Sequence, residues 1–214
     1  MSHIRVLLAD DHTIVREGLV RILKTTADIE VVAEAGDGDE AVTRALETRP
    51  DVVVLDINMP RLNGLEAARR MRKTLPGAAI LVLTMHGDAE YVLKMMRAGA
   101  DGYLVKDGAA VELIAAIRAL KNGRTYLGAQ ASTALADAYR DNRPLPDDPY
   151  GNLTDREREV FHLVVEGCTS VRIAGRLGIS PKTVENHRMR LMEKLGLHST
   201  AELLRYASRH GLIT

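Results

Sequence analysis

The sequence predicts an α/β domain with a five-stranded, doubly wound parallel sheet of the flavodoxin-like type, followed by a C-terminal all-α domain of four helices. In residues 1–125, short apolar runs alternate with stretches whose apolar residues recur at helical spacing, which is typical of repeated βα units. Residues 153–214 carry only helical patterns. Residues 126–152 lie between them. Their last part holds three prolines and a glycine, so we interpret this stretch as a linker, with a helix-compatible segment at 129–139.

Five strands are predicted in the first domain, each followed by a helix. The strand runs are mostly apolar, as expected where helices cover both faces of a parallel sheet. The apolar residues of each helix share one face; in the third helix they include Leu65, Ala68 and Met71. The predicted strands span 4–9, 29–35, 52–56, 79–84 and 102–105, and the predicted helices span 13–25, 38–48, 64–74, 89–98 and 109–122.

Each helix of the second domain opens with a Ser or Thr that can accept a hydrogen bond from a first-turn amide. The first opening is a capping box, because Glu157 stands three residues after Thr154. The third has Pro181 at its first helical position, where no amide hydrogen is needed. The predicted caps are Thr154, Ser170, Ser180 and Ser199, and the helices are predicted to end near Val165, Leu177, Leu195 and His210.

Composition places the protein in the cytoplasm, without a membrane segment. Net charge is zero, but residues 153–214 hold 10 basic and 7 acidic side chains, which mildly favours a nucleic-acid partner. The single cysteine, Cys168, excludes an intramolecular disulfide and fits a reducing compartment. No stretch approaches the roughly 18 continuous apolar residues that span a bilayer. Charged residues interrupt the first apolar run, which argues against a signal peptide.

Acidic residues close two of the predicted strands, and a lysine closes a third. Asp10 and Asp11 follow the first strand, Asp56 ends the third, and Lys106 follows the fifth. Ligands of such sheets bind beyond the carboxyl ends of the strands, so these side chains are expected to share one pocket. Three carboxylates suit a hard divalent cation, and the ammonium suits a neighbouring anion. The alternative is that the aspartates only cap helices and the lysine is solvated, but this does not explain their common edge.

With these residues, the first domain resembles the receiver domain of bacterial two-component response regulators. The resemblance covers about residues 3–123, and the order and spacing of its motifs are intact. It implies that Asp56 accepts a phosphoryl group from a sensor histidine kinase. The matching segments are Asp10-Asp11-His12, Asp56-Ile57-Asn58-Met59-Pro60 with Gly64, Leu83-Thr84, and Tyr103-Leu104-Val105-Lys106.

The resemblance also implies roles for the residues around Asp56. Mg²⁺ would be held by Asp10, Asp11 and Asp56 with the backbone carbonyl of Asn58. Lys106 and Thr84 would bind the phosphoryl oxygens. Tyr103 would change rotamer with Thr84, although simple packing is an alternative for this tyrosine. Asn58 and His86 would tune the lifetime of the phosphoryl group, and for His86 an ordinary loop position is equally open.

The second domain, over about residues 150–212, resembles the LuxR-type helix-turn-helix, so the whole chain resembles the NarL/FixJ family. The resemblance implies that the third helix enters the major groove of double-stranded DNA. Lys182 and Thr183 are expected at phosphates, and Glu185, Asn186 and Met189 at base edges. A solvated face is the alternative for Glu185 and Met189, and packing for His187. The complete set of candidate DNA contacts is Lys182, Thr183, Glu185, Asn186, His187, Arg188, Met189, Arg190 and Lys194.

We therefore expect a transcription regulator that is activated by phosphorylation, and not an enzyme. It would form a homodimer when phosphorylated or on DNA, through the fourth helix, and contact with RNA polymerase is compatible with this function. One rival is a phosphatase of the haloacid dehalogenase type, but such enzymes place a second acid where this chain has Asn58. Other rivals are a regulator that binds a small autoinducer, whose N-terminal domain would differ, and a receiver that works without phosphate.

Overall fold

The computed structural model describes residues 3–107, 109–141, 149–210 and 212. The chain divides into two compact units, residues 1–145 and residues 146–213. Within the described residues, no helix combines the length and the hydropathy needed to cross a membrane.

The first unit is a parallel sheet of six strands in the order β2-β1-β3-β4-β5-β6, with helices following the strands. The predicted doubly wound parallel sheet is confirmed, but the predicted count of five strands is wrong. The strands are β1 Ile4–Ala9, β2 Ile29–Ala35, β3 Val52–Leu55, β4 Ala79–Thr84, β5 Gly102–Val105 and β6 Tyr126–Leu127. The helices are α1 Thr13–Leu23, α2 Gly38–Thr48, α3 Gly64–Thr74, α4 Ala89–Arg97, α5 Ala109–Lys121 and α6 Ala129–Arg140.

Strands β1, β3 and β4 form the centre of the core. All four residues of β3 are buried, as expected for a strand covered on both faces. On one face, Leu8, Val54 and Leu81 pack with α1 and α5, whose Leu23 and Ile117 are fully buried. This packing fixes the strands in one register and so aligns their carboxyl ends at one edge of the sheet.

β6 and α6 are formed by residues that the sequence predicts to lie in the linker. β6 is only two residues long and pairs in parallel with β5. Its first residue, Tyr126, is half-buried and donates a side-chain hydrogen bond to Glu112 of α5 at 3.0 Å. A strand of two residues is too short to show an alternation of apolar and polar residues. It is held in the sheet by its pairing with β5.

The described residues of the second unit form four helices: α7 Asp155–Val165, α8 Ser170–Leu177, α9 Pro181–Leu195 and α10 Thr200–Arg209. The predicted capping box is present at Thr154, and Ser180 and Ser199 cap α9 and α10. The predicted cap of α8 is wrong by one residue. Thr169 accepts the hydrogen bond from the Arg172 amide, because a cap lies three residues before the amide that it binds.

A small apolar core joins these four helices. It is formed by one face of each helix, and the left-handed Gly178 ends α8 so that α9 can turn back across it. The side chains that are at most 4% exposed include Val160, Phe161, Val164, Ile173, Val184, Leu191, Leu203 and Ala207.

Candidate functional site

Four side chains from three strand ends meet at the carboxyl edge of the sheet. Lys106 Nζ lies 2.7 Å from Asp56 Oδ2 and 2.8 Å from Asp10 Oδ2. Asp10, Asp11, His12 and Asp56 can each offer one ligand atom, and these atoms all lie within 4.8 Å of one another. The adjacency of β1 and β3 brings the aspartates together, and β5 delivers the lysine from the far side of β4.

The pocket holds its charges out of water. Asp10 is 2% and Asp56 4% exposed. Burial raises the pKa of Asp56 above its usual value, although the hydrogen bond from Lys106 works against this shift. For Lys106, burial acts to lower the pKa, but its interactions with the carboxylates of Asp10 and Asp56 outweigh this and raise the pKa. The lysine is therefore charged and shared between two carboxylates.

The donor set fits a divalent cation. Among the described residues, no donor has hydrogen-bond geometry to Asp10 Oδ2 or Asp11 Oδ1, and both oxygens are buried. Lys106 Nζ lies beside Asp10 Oδ2 as an ion pair, and His12 Nδ1 lies 2.9 Å from Asp11 Oδ1. Clustered carboxylate oxygens with unused lone pairs are the ligands that Mg²⁺ and Ca²⁺ prefer.

The loop after β3 presents the Asp56 side chain to the pocket. The Ile57 amide donates to Asp56 Oδ1 at 2.7 Å, which leaves Oδ2 for Lys106. The loop turns back so tightly that the Gly64 amide donates to Ile57 O at 2.8 Å. A Cβ on Gly64 would lie 2.0 Å from the Asp56 carbonyl oxygen, so only glycine fits here.

The loop after β4 closes the opposite side of the pocket. Thr84 is fully buried, and its Oγ1 accepts a long hydrogen bond of 3.4 Å from the His86 amide. The His86 ring lies 3.1 Å from Asn58 Nδ2 and stacks on Tyr91 of α4, with ring centroids 4.2 Å apart. The sequence placed Asn58 and His86 beside the acceptor, and in the structure they bond to each other across the pocket.

Tyr103 connects this loop to β5. Its side chain is fully buried, and its hydroxyl donates to the His86 carbonyl oxygen at 2.8 Å. Burial is the main cause of a strongly raised pKa for Tyr103, so the hydroxyl stays protonated as a donor. The Tyr103 ring therefore points inward, and its hydroxyl is hydrogen-bonded to His86, two positions after Thr84.

The second unit presents one face of α9 to solvent. Val184, Leu191 and Leu195 are buried, as predicted for the inward face. Thr183, His187 and Arg188 are half-buried. The exposed candidate DNA contacts are Lys182, Glu185, Asn186, Met189, Arg190 and Lys194.

Two of the predicted phosphate contacts already have partners within the unit. Lys194 Nζ lies 2.7 Å from Glu157 Oε2 and 3.2 Å from the Asn152 carbonyl oxygen. Arg188 Nη2 lies 2.5 Å from Thr200 Oγ1 at the start of α10. Helical periodicity shows that these side chains leave the helix outward, but it carries no signal for partners from other helices.

Comparison with known proteins identifies the family. A family model for the response regulator receiver domain matches residues 6–118, and one for bacterial regulatory proteins of the luxR family matches residues 151–207. The chain belongs to the LuxR-type response regulators. Members of this family are transcription regulators controlled through a receiver domain, not enzymes, so both predictions are confirmed.

Relatives and solved structures match the LuxR-type response regulator over two thirds to nearly all of its length. The oxygen regulatory protein NreC of Staphylococcus epidermidis is 39% identical over 215 residues, covering 98% of this chain and 99% of NreC. A LuxR-family two-component response regulator from Aurantimonas sp. SI85-9A1 is 40% identical with a TM-score of 0.63, covering 65% of this chain and 99% of that one. The response regulator RcsB in a complex with DNA is 27% identical with a TM-score of 0.61, covering 97% and 98%.

Proposed function

We propose that Asp56 accepts a phosphoryl group from a sensor histidine kinase, and that this modification controls dimerisation and binding of α9 to double-stranded DNA. The observation that carries the proposal is the position of Asp56 Oδ2, which is buried at the sheet edge, 2.7 Å from Lys106 Nζ and beside Asp10. This carboxylate faces a fixed cation and clustered acidic ligands. Such an arrangement is suited to receiving an anionic group.

In the transfer, one Asp56 oxygen attacks the phosphorus of the phosphohistidine, and the phosphorus–nitrogen bond breaks as the imidazole leaves. Asp10, Asp11 and Asp56, with the carbonyl of Asn58, are the residues that would hold Mg²⁺. The ion would offset repulsion between the carboxylates and the incoming phosphoryl oxygens. Lys106 moves from the Asp56 carboxylate to a phosphoryl oxygen and remains a point charge beside the group.

Thr84 and Tyr103 carry the change away from the pocket. A phosphoryl oxygen on Asp56 is a stronger acceptor than any group that the Thr84 hydroxyl has in the resting pocket. The Thr84 hydroxyl turns toward that oxygen and gives up its long bond from the His86 amide. Since the Tyr103 hydroxyl is held by the carbonyl of the same His86, the tyrosine ring follows.

The controlled surface is the outer face of α9. Lys182, at the start of the helix, and Arg190 are exposed and suited to phosphates, while Asn186 is placed to read an adenine edge. The DNA complex of RcsB supports this use of the domain. The regulator would act in the cytoplasm as a homodimer on paired half-sites, with RNA polymerase as its partner at the promoter.

Acetyl phosphate labelling of the full chain tests the proposal. We expect one phosphoryl group per chain by intact mass in the presence of Mg²⁺, loss of labelling with a chelator, and loss of labelling in Asp56→Asn. Asp39→Asn is the matched control, because Asp39 is an exposed aspartate on α2 whose side chain forms an ion pair with the exposed Arg70. Unchanged labelling in Asp56→Asn would sink the assignment.

DNA binding provides the second part of the test. Phosphorylation is expected to tighten binding of the wild-type chain to a promoter fragment selected from genomic DNA, and to have no effect on Asp56→Asn. Equal binding by both proteins, with and without acetyl phosphate, would separate Asp56 from the control of DNA binding.

A further inference from the structure

Residues 126–140, which form β6 and α6, lie along the free edge of β5 and are called the strap below. In the register of the sheet, Leu127 lies beside Tyr103. The Gly128 amide, just before α6, donates to the Tyr103 carbonyl oxygen at 2.9 Å. The strap therefore caps the edge of the strand whose tyrosine hydroxyl is tied to the pocket loop.

The start of the strap fits closely, whereas its helix is held loosely. A Cβ on Gly128 would lie 2.8 Å from Leu104 Cδ2, so a larger residue would displace that buried side chain between the strap and β5. The helix α6 packs against α4 and β5, but Ala131 is its only buried residue, and Tyr139 near its end is 87% exposed. A helix with so little buried apolar surface is among the first elements of a domain to open.

One hydrogen-bonded path joins the strap to the pocket. It runs through Tyr103, whose backbone carbonyl holds Gly128 and whose hydroxyl holds the carbonyl of His86. The next residue, Gly87, lies near the first turn of α6, because a Cβ built on it would come within 3.8 Å of Gln130 Oε1. Movement of the loop after β4 therefore acts on the strap through Tyr103.

We infer that the strap is the output element of the receiver, docked on α4 and β5 in the resting state and loosened when Asp56 is phosphorylated. The inference rests on the proposed function, because it needs a phosphoryl group on Asp56. When Thr84 turns toward that group, the His86 segment shifts. The buried Tyr103 hydroxyl must follow its acceptor, since an unpaired buried hydroxyl is costly. The hydrogen bond from Gly128 to Tyr103, which supports the start of α6, then changes with the ring.

Hydrogen–deuterium exchange of the full chain tests the inference, with Mg²⁺ and beryllium fluoride as a phosphoryl mimic. We expect peptides from the strap to exchange about tenfold faster when beryllium fluoride is added, as a locally opened element does. Peptides over residues 84–88 report on the pocket itself. A pocket that responds while the strap keeps its exchange rate would overturn this inference alone. If neither responds, the proposed function fails, and the inference fails with it.

Substitutions separate coupling from simple stability. Gly128→Ala is expected to give fast strap exchange without beryllium fluoride, because its Cβ collides with Leu104. Gly18→Ala is the matched control, since a Cβ there has nothing within 4 Å. Tyr103→Phe keeps the ring but removes the hydroxyl bond to His86, so the strap should stay protected at rest and respond less than the wild type. An undiminished response in Tyr103→Phe, or slow strap exchange in a folded Gly128→Ala, would contradict the inference.

Discussion

Lys194 and Lys182 both lie on α9, the helix proposed to face DNA, yet their replacement by methionine should have different consequences. Lys194 Nζ is bound to Glu157 Oε2 at 2.7 Å and to the Asn152 carbonyl oxygen at 3.2 Å, so it ties the end of α9 to the start of α7. Glu157 is also the capping-box residue that binds the Thr154 amide. Lys182 is exposed at the start of α9, where a phosphate is expected.

The size of the effect follows from the exposure of the two partners. Glu157 is buried, with its side chain 3% exposed, whereas the Lys194 side chain is 37% exposed. Breaking a fully buried ion pair costs about 3–5 kcal/mol, and exposed pairs contribute about 0–1 kcal/mol. For Lys194→Met we therefore expect a loss of about 1–2 kcal/mol, because Glu157 loses its cation but keeps its capping bond. In a unit of this size that loss lowers the melting temperature by about 5–10 °C.

The acid dependence of this stability has a definite sign. Burial acts to raise the pKa of Glu157, but the hydrogen bonds from Lys194 and Thr154 together outweigh it, so the pKa lies below its usual value. A carboxyl whose pKa is lowered by folding stabilises the fold above its unfolded pKa, and this stabilisation is lost as the pH falls through the folded pKa. Acidification below about pH 4.5 should therefore cost the wild type more stability than Lys194→Met.

The assay has two parts. Thermal unfolding of the full chain is monitored by hydrogen–deuterium exchange of peptides from α7 and α9, and DNA binding is measured over a range of salt concentrations. Lys182→Met is the matched control. It should leave the melting of α7 and α9 unchanged and reduce the slope of log affinity against log salt by about 1. The reasoning is refuted if Lys194→Met melts like the wild type and reduces the salt slope as Lys182→Met does.

Three further substitutions have consequences that the structure fixes. Lys106→Met should destabilise the first unit by about 2–4 kcal/mol in thermal scans without Mg²⁺, because it strands two buried carboxylates. Added Mg²⁺ should restore part of that loss, and a change of similar size with and without the ion would contradict this. Gly64→Ala should abolish acetyl phosphate labelling or folding, since its Cβ would lie 2.0 Å from the Asp56 carbonyl oxygen; a labelled, folded variant would be inconsistent with that contact. Gly178→Ala, at a φ of +64°, should cost about 1 kcal/mol in thermal unfolding, whereas Gly175→Ala inside α8 should not destabilise; equal melting of the two would count against a conformational cost.

The pocket was predictable because its residues follow apolar runs. Asp10, Asp56 and Lys106 each stand directly after a run that is apolar enough to be a strand buried on both faces. In a parallel sheet all such ends lie at one edge, so neither register nor strand order was needed to bring these side chains together. The same rule does not reveal that Asn58 bonds to His86, because that contact depends on how two loops curve.

The strap and the Lys194 contact escaped prediction for a different reason. β6 has only Tyr126 and Leu127, and it exists because β5 offers it unpaired backbone groups; two residues show no period. Glu157 lies 37 residues before Lys194, and only the crossing of α7 and α9 brings them together. Periodicity predicts which face of a helix leaves the core, but partners across the fold depend on tertiary geometry.

The charges of the pocket limit when the proposed phosphorylated state can persist. Three carboxylates and one ammonium leave two excess negative charges. Phosphorylation replaces the single charge of the Asp56 carboxylate with a phosphoryl charge of about −1.5 to −2, so the pocket becomes more negative by about 0.5 to 1 charge. Lys106 is shared between Asp10 and Asp56 at rest, so its move to the phosphoryl group leaves Asp10 without its cation. Since Asp10 is 2% exposed, water cannot replace that cation. A divalent ion at Asp10 and Asp11 would supply the charge that the proposed transfer needs, so removal of the ion from the phosphorylated protein should also return the strap to its docked position.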